Sequence, residues 1–131
     1  MNQVVAHFAD GGLLKGETGD FYPAKDVFHI VPAGEAGQRP VEVRTSALKA
    51  LFFVKSLTGN PAHAEKDAFD PARPAPGRKL EVTFADGENL VGTTQGYQPG
   101  RPGFFLVPAD ADSNIERCYI VSAATRTVTF L

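Results

Sequence analysis

Hydrophobic and polar residues alternate along residues 80–84, and residues 4–8 follow the same pattern except at Val5, which is apolar. A period of two is typical of a β-strand with one buried and one exposed face. An Asp-Gly pair follows each stretch within two residues, at Asp10 and Gly11 and again at Asp86 and Gly87. Asp-Gly between apolar runs favours a tight hairpin, because glycine adopts the positive φ that such a turn requires. The pattern therefore predicts the same hairpin at two places.

The two hairpins belong to a longer internal repeat. Residues 4–33 align without a gap on residues 80–109, each pair lies 76 positions apart, and 12 of the 30 pairs are identical. After a shift of one residue, residues 41–54 align on residues 118–131. Unrelated stretches would share far fewer residues, so the chain contains a duplication.

The pattern of apolar and turn residues in each copy predicts five short strands. The second strand of each copy carries a glycine in its middle, Gly16 or Gly92, which indicates a bulge or a sharp bend as at a barrel corner. The third strand ends at a proline in both copies, because proline cannot donate to a sheet ladder. A short 3₁₀-like turn, around residues 45–49 and 122–126, separates the fourth strand from the closing strand.

The duplication divides the chain into three segments. Residues 1–57 are predicted to form a first small β-barrel, residues 78–131 a second, and residues 58–77 a Pro/Ala-rich linker. Asn60 before Pro61 favours the start of a short helix over residues 61–69 of this linker. We therefore predict an all-β protein of two tandem five-stranded barrels related by a pseudo-two-fold axis.

The predicted order of elements resembles the SH3-like and Sm-like small barrels: a strand, Asp-Gly, a strand with a central glycine, a third apolar strand and a one-turn helix before the last strand. The second copy, GENLVGTTQGYQPGRPGFFLVPADADSN, is similar to an uncharacterised bacterial domain that occurs near signalling modules such as PilZ. The cyclic-dinucleotide motif of PilZ itself is absent from the sequence. The resemblance implies a fold and a signalling context, without a defined ligand.

Charge and composition narrow the function classes. The formal net charge is −2 and the isoelectric point is near 5.9, so the chain lacks the basic excess typical of nucleic-acid-binding proteins. Cys118 is the single cysteine, which excludes an internal disulfide framework and a cysteine metal cluster. The first residues lack the pattern of a signal peptide, and no apolar run approaches the roughly 20 residues of a membrane span. We expect a cytoplasmic protein without a membrane partner.

Candidate metal and catalytic motifs are incomplete. Asp110, Asp112 and Asn114 have the spacing that begins an EF-hand calcium loop, but Ile115 and Val121 stand where the loop requires glycine and glutamate. Aspartate, serine and asparagine here are more typical of a polar turn between strands. The three histidines lack metal-ligand spacing, and no serine lies in the nucleophile motif of hydrolases. We therefore predict no catalytic residues, no cofactor and no metal site.

The last three strands of each unit carry apolar residues on both faces. A small barrel has one interior, so the second apolar face must be covered. Either the two units cover each other, or a homodimer or a partner protein covers them. The residues concerned are Phe28, Ile30, Val31, Val41, Val43, Leu51, Phe52, Phe53 and Val54, and in the second copy Phe105, Val107, Tyr119, Val121 and Leu131.

These patterns favour a non-enzymatic protein-interaction or regulatory module, and the resemblance places it in bacterial signalling. The alternative is an Sm-like RNA-binding protein, which needs basic and aromatic side chains around a pore; the charge makes nucleic acid the less favoured partner. The loops at 98–103 and 110–117 differ most from their counterparts in the first copy. We predict an interaction site at Arg101, Asn114 and Arg117. The other interpretation of Asn114 and Arg117 is that they hold their loop in place.

Overall fold

The computed structural model describes residues 1–34, 38–59, 69 and 77–131. The short helix predicted for residues 61–69 lies outside the described residues, apart from Phe69. The described residues form ten β-strands and two one-turn 3₁₀ helices with no α-helix among them, so the all-β prediction is confirmed. Within these same ranges there is no helix of the length and apolar character needed to cross a membrane.

Each half of the chain supplies five strands. Those of the first half are β1 (Asn2–Phe8), β2 (Leu13–Thr18), β3 (Val27–Pro32), β4 (Val41–Arg44) and β5 (Leu48–Val54). Those of the second half are β6 (Arg78–Phe84), β7 (Asn89–Thr94), β8 (Gly103–Pro108), β9 (Ile115–Val121) and β10 (Thr125–Phe130). A 3₁₀ helix precedes the last strand of each half, at Thr45–Ala47 and at Ser122–Ala124, where the sequence predicted a short turn.

All ten strands belong to one antiparallel sheet, and its order shows how the halves meet. The order is β10-β6-β7-β8-β9-β5-β1-β2-β3-β4. Each half has its own strands in the order fifth, first, second, third and fourth. The halves join where β5, the fifth strand of the first half, pairs with β9, the fourth strand of the second. The sheet is open, and β10 and β4 are its two edges.

This order bears on two expectations, the separation of the barrels and the axis that relates them. Hydrogen bonding does not separate the halves into two closed units, because one continuous ladder runs through β5 and β9. A two-fold axis would make every contact between the halves occur in both directions. Here β9, the fourth strand of the second half, pairs with β5, the fifth strand of the first. The opposite pairing, of β4 with β10, does not occur, because these two strands lie at opposite edges of the sheet. The contact is therefore of the head-to-tail kind, and the predicted pseudo-two-fold axis is wrong.

Two apolar cores form, and β5 contributes to both. All seven residues of β5 are buried. Phe52 and Val54 join the core built mainly by the second half, whereas the alternating residues Leu51 and Phe53 join the core of the first half. Since successive side chains of a strand point to opposite faces, a strand shared between two cores must be apolar throughout.

The partner strand β9 is shared in the same way. Cys118 and Ile120 lie in the core of the second half, and Tyr119 and Val121 lie in that of the first. The apolar residues on both faces of β5 and β9 are therefore covered by the packing of the halves on each other. Other members of that set stay exposed, with relative exposures of 41% for Val41, 47% for Val107 and 67% for Leu131.

A buried lysine adds a polar contact across the junction. Lys49 of β5 is 8% exposed, and its Nζ lies 2.8 Å from Asp86 Oδ2 and 3.3 Å from Glu88 Oε1 in the hairpin of the second half. The same ammonium lies 4.6 Å from the centre of the Phe84 ring. A lysine this buried requires paired charge, which the two carboxylates supply.

The glycines of the repeat have two separate roles. Gly11 and Gly87 have φ values of 98° and 92°, as the Asp-Gly hairpins predicted. The ladder register is regular at Gly16 and Gly92, so neither glycine marks a bulge. Instead, a Cβ at Gly92 would lie 2.2 Å from the carbonyl oxygen of Val107, so the second and third strands approach too closely for any side chain.

Candidate functional site

A hollow opens where loops from the two halves face each other, and we call it the Arg101 hollow. Its volume is about 450 Å³. The first half contributes the turn before β3 and the 3₁₀ helix Thr45–Ala47. The second half contributes the loop before β8 and the 3₁₀ helix Ser122–Ala124. The lining includes Pro23, Lys25, Asp26, Ser46, Arg101 and Ser122.

Hydrogen bonds hold both walls of the Arg101 hollow. Asp26 accepts a bond from the backbone N–H of Ser46 at 2.9 Å and one from Ser46 Oγ at 3.2 Å, which ties the turn to the 3₁₀ helix. On the other wall, the N–H of Ser122 donates to the carbonyl of Pro102 at 2.9 Å. The positive φ of Gly100, 85°, allows the chain to turn before Arg101. Hydrogen bonds within the chain therefore fix the shape of the hollow.

The electrostatics of this hollow are asymmetric. The Ser46 N–H bond, aided by Ser46 Oγ and the nearby Arg44, lowers the pKa of Asp26, so its carboxylate is ionised and already engaged. Lys25 and Arg101 are exposed, and their charged ends have no hydrogen-bond or ion-pair partner among the residues that the structure describes. The hollow therefore presents uncompensated positive charge.

A second hollow, the Arg117 hollow, lies against the same turn of the first half. Its volume is about 380 Å³, and Pro23 lines both hollows. Aromatic side chains from both halves form much of its wall, and the polar lining groups come from three strands or their flanks. The lining residues are Asn2, Thr18, Gly19, Phe21, Tyr22, Pro23, Phe53, Phe105 and Arg117.

Arg117 is held by stacking. It lies opposite Phe53 in the β5–β9 ladder, and its guanidinium carbon is 4.5 Å from the centre of the Phe53 ring and 4.8 Å from that of Phe105. Both distances are within the range of cation–π attraction. Phe53 is 3% exposed, so its ring is a fixed support. The sequence predicted Arg117 as a loop residue; it lies on β9, at the junction.

An aromatic cluster underlies this hollow. The Phe21 ring centre is 5.1 Å from that of Phe28, 5.3 Å from that of Tyr119 and 6.4 Å from that of Phe105. All three ring pairs are edge-to-face, an arrangement that is favourable for aromatic side chains at these distances. The cluster therefore joins the turn of the first half to β8 and β9 of the second.

Asn114 lies in neither hollow. Its side-chain N–H donates to the Ser56 carbonyl at 2.8 Å, and its Oδ1 accepts a bond from the Ser56 N–H at 3.1 Å. Its own carbonyl accepts the N–H of Lys55 at 2.8 Å. Asn114 therefore holds the chain that leaves β5 against the start of β9. Of the three residues singled out from the sequence, Arg101 and Arg117 line neighbouring hollows and Asn114 has this structural contact.

The loop with calcium-like spacing is a polar turn. The N–H of Asp112 donates to Asp110 Oδ1 at 2.9 Å, and the N–H of Ile115 donates to Ser113 Oγ at 3.0 Å. These short-range bonds are typical of Asx and serine turns. Across the described ranges, no group of three or more histidine, cysteine or acidic side chains is placed to hold a metal ion.

Two further titratable features involve residues that line neither hollow. His29 Nδ1 is 2.7 Å from Asp20 Oδ2, and both side chains are substantially exposed, so this pair lies on the surface and not in a pocket. Burial raises the pKa of the Cys118 thiol, which is fully enclosed in the second core. A thiol in this setting behaves as a small apolar side chain.

Sequence reasoning missed the half of the site that the first copy contributes. Phe21, Tyr22, Pro23 and Lys25 all belong to the turn before β3. One signal was available, because Tyr22 is an aromatic residue in a turn and its counterpart in the second copy is Gln98. Tyr22 is 59% exposed, which is unusual for a residue that serves only packing.

Comparison with known proteins identifies the family. Neither the curated proteins nor the solved structures include a match to this chain. A family model matches residues 1–131, the whole of the sequence. The chain therefore belongs to DUF6982, a family of unknown function.

Proposed function

We propose that this protein is a non-enzymatic interaction module that binds an extended, acidic segment of a partner protein along the Arg101 and Arg117 hollows. The observation that carries the proposal is a largely apolar hollow, shared by both halves, with two exposed cations that have no partner among the described residues. Apolar contact surface with a charged rim is typical of protein interfaces.

Charge complementarity argues for an acidic partner. Lys25, Arg101 and Arg117 line the two hollows, and Asp26 is the one carboxylate among the lining residues. Asp26 is engaged by Ser46 and Arg44, so it does not neutralise the three cations. An acidic segment would restore the balance and would be steered toward the hollows.

The net charge of −2 favours protein over RNA as the partner, because a nucleic-acid-binding protein commonly carries a basic excess. The rings of Phe53 and Phe105 are covered by the guanidinium of Arg117, which leaves Tyr22 as the exposed aromatic side chain of the Arg117 hollow. RNA binding is nevertheless the outcome that would replace the proposal.

Each half would be a small barrel of the SH3-like or Sm-like kind, and the strand order fifth, first, second, third, fourth supports this in both halves. The separate core of each half adds support. A regulatory role in bacterial signalling and a cytoplasmic location belong to the same proposal, with support from the resemblance of the second copy to a domain found near PilZ.

The test is a titration followed by two-dimensional NMR of the ¹⁵N-labelled protein. The probe is a capped nine-residue peptide of alternating glutamate and valine; its matched control has glutamine in place of glutamate. We expect the acidic peptide to shift the amide signals of Lys25, Ser46, Arg101 and Ser122, and the control to shift them weakly. Arg101→Ala should weaken the effect, whereas Arg78→Ala, on β6 away from the hollows, should not.

Two results would contradict the proposal. Equal shifts with the glutamate and glutamine peptides would show that charge has no part in binding. Tight binding of an oligouridylate with a steep salt dependence, mapped to the same residues, would identify a nucleic-acid site instead.

In the native host, a photo-crosslinker at Ala123 should capture a protein that the acidic peptide displaces.

A further inference from the structure

We infer that the Arg117 hollow is a carboxylate anchor, which takes one glutamate or aspartate side chain of the partner segment together with an apolar side chain next to it. The inference rests on the proposed function and specifies what that site recognises. Of the two hollows described above, the Arg117 hollow is the one in which a cation, an aromatic wall and polar groups lie together.

The guanidinium of Arg117 supplies the contact for the carboxylate. Its carbon lies over two rings, 4.5 Å from the centre of Phe53 and 4.8 Å from that of Phe105, which hold the exposed side chain at the hollow. A guanidinium has five N–H donors and none of those of Arg117 is engaged by a described residue, so they are available to the two oxygens of a carboxylate.

No anion of the described residues competes for Arg117. No carboxylate is among the residues that line the Arg117 hollow, and no described carboxylate forms an ion pair with Arg117. The two neighbouring acids, Asp20 and Asp26, are already engaged with His29 and Ser46. An incoming carboxylate would therefore meet one cation and no bound competitor.

The rest of the Arg117 hollow offers apolar surface and a side-chain amide. Phe21 is half-buried and Tyr22 is 59% exposed, so both offer apolar surface beside Arg117. The side-chain amide of Asn2 is exposed at the same hollow and has no partner among the described residues. An acidic side chain followed by an aromatic or large aliphatic one would match these groups in order.

Because Pro23 also lines the Arg101 hollow, the anchor sets the position of the whole segment. Lys25 and Arg101 are positioned to receive acidic residues further along it. The anchor is therefore the specific contact, and the Arg101 hollow supplies charge attraction along the chain.

The experiment uses three tripeptides with an acetylated N-terminus as probes: glycine-glutamate-phenylalanine amide, glycine-glutamine-phenylalanine amide, and the glutamine peptide with a free C-terminal carboxylate. Binding is followed through the side-chain Nε–Hε signal of Arg117 and the amide of Phe105. We expect the glutamate amide to bind roughly tenfold or more tightly than the glutamine amide, since a charge-assisted pair is lost. The free-acid peptide should bind no better than the glutamine amide, because the anchor takes a side-chain carboxylate.

Two variants complete the test. Arg117→Met keeps a long apolar side chain against the rings and should remove the preference for glutamate, whereas Arg117→Lys should retain only part of it. Arg78→Met, on β6 and lining neither hollow, is the matched control and should leave tripeptide affinity within about twofold. An unchanged spread of amide signals in Arg117→Met shows that the variant is folded.

The inference is overturned if the glutamate and glutamine tripeptides bind equally, or if Arg117→Met keeps the preference. If the nine-residue peptide still shifts Ser46 and Ser122 in that case, the proposed function stands and the anchor alone is wrong. If neither probe shifts any residue of either hollow, both fail.

Discussion

Phe52 of β5 lies directly opposite Cys118 of β9, and both side chains are buried in the core of the second half. Phe52 belongs by sequence to the first half, so its burial there joins the two copies of the repeat. Its counterpart in the second copy is Thr129, on the edge strand β10, where the side chain is exposed. The same position of the repeat is therefore buried in the first copy, where its strand lies at the junction, and exposed in the second, where its strand lies at the edge.

Replacing Phe52 should therefore cost far more than replacing its counterpart. We expect Phe52→Ala to lower the free energy of unfolding by roughly 3–5 kcal/mol, because it removes a buried ring and leaves a cavity. Thr129→Ala is the matched control, with an expected change within about 0.5 kcal/mol. Urea unfolding measures both. Equal losses in the two variants would show that β5 is not shared between the cores.

The central glycine of β7 should not tolerate a side chain. A Cβ at Gly92 would lie 2.2 Å from the Val107 carbonyl oxygen and 2.5 Å from Leu106 Cδ2. We expect Gly92→Ala to destabilise the protein by about 1–3 kcal/mol through overpacking. Gly96→Ala is the control, because no atom lies within 4 Å of its added Cβ and its φ is not positive. A neutral Gly92→Ala would contradict the close approach of β7 and β8.

His7 should make stability depend on pH. It is half-buried on β1, with its ring centre 4.3 Å from that of Phe52. Burial lowers the pKa of His7 below its usual 6.5; Glu88 opposes this effect and Lys49 adds to it. The folded state therefore binds fewer protons than the unfolded state, so its stability is full above about pH 6.5 and falls as the pH drops through the lowered pKa.

The variant His7→Thr, which installs the residue found at the equivalent position 83, should remove this dependence. Urea midpoints at about pH 7.5 and pH 5 measure it, with the difference between the two midpoints as the readout. The wild-type protein should lose more stability than His7→Thr over that interval. Equal differences would show that His7 titrates alike in both states.

The sequence predicts the structural features that depend on interactions within one copy of the repeat, but not those that depend on contacts between the copies. The strands, the two Asp-Gly hairpins and the 3₁₀ helices follow from local pattern, and the repeat made each of them visible twice. The pairing of β5 with β9 depends on which strand edges meet, and alternation along a strand does not encode that. The fully apolar stretch Leu48–Val54 indicated a covered second face but not which neighbour covers it.

The site shows the same division. Arg101 and Arg117 were found because their loops differ from the first copy. The aromatic wall was missed because Phe21 and Phe105 come together only when the turn of one half packs against a strand of the other. Asn114 had two interpretations from the sequence, a contact with a partner or a residue that holds its loop, and its hydrogen-bond partner Ser56 is 58 positions away in the sequence.

The two free edges of the sheet should resist the head-to-tail contact that joins the halves. The positions of Tyr119 and Val121, buried in β9, are occupied in β4 by Glu42 and Arg44, which are exposed. In the register of β5 and β9, Arg126 of one copy would lie opposite Arg44 of the next, and like charges at directly opposite positions repel. Charged edge strands of this kind prevent pairing between copies.

We therefore expect the wild-type chain to sediment as a monomer of 14.0 kDa at all concentrations tested. The quadruple variant Glu42→Tyr, Arg44→Val, Thr127→Ala and Thr129→Phe restores the junction residues at both edges and should form larger species as concentration rises. Sedimentation equilibrium distinguishes the two. A wild-type protein that already forms larger species would contradict the expectation, and one that stops at the dimer would favour the homodimer that the sequence suggested.

The most direct test of the shared junction is native-state hydrogen exchange, comparing the slowest-exchanging amides of β1 in the first half with those of β6 in the second. If β5 and β9 join the halves into one cooperative body, Phe52→Ala should lower the opening free energy of both sets by the same amount, although the lost ring packs in the second core. A fall confined to β6, with β1 unchanged, would contradict it and show two halves that open independently.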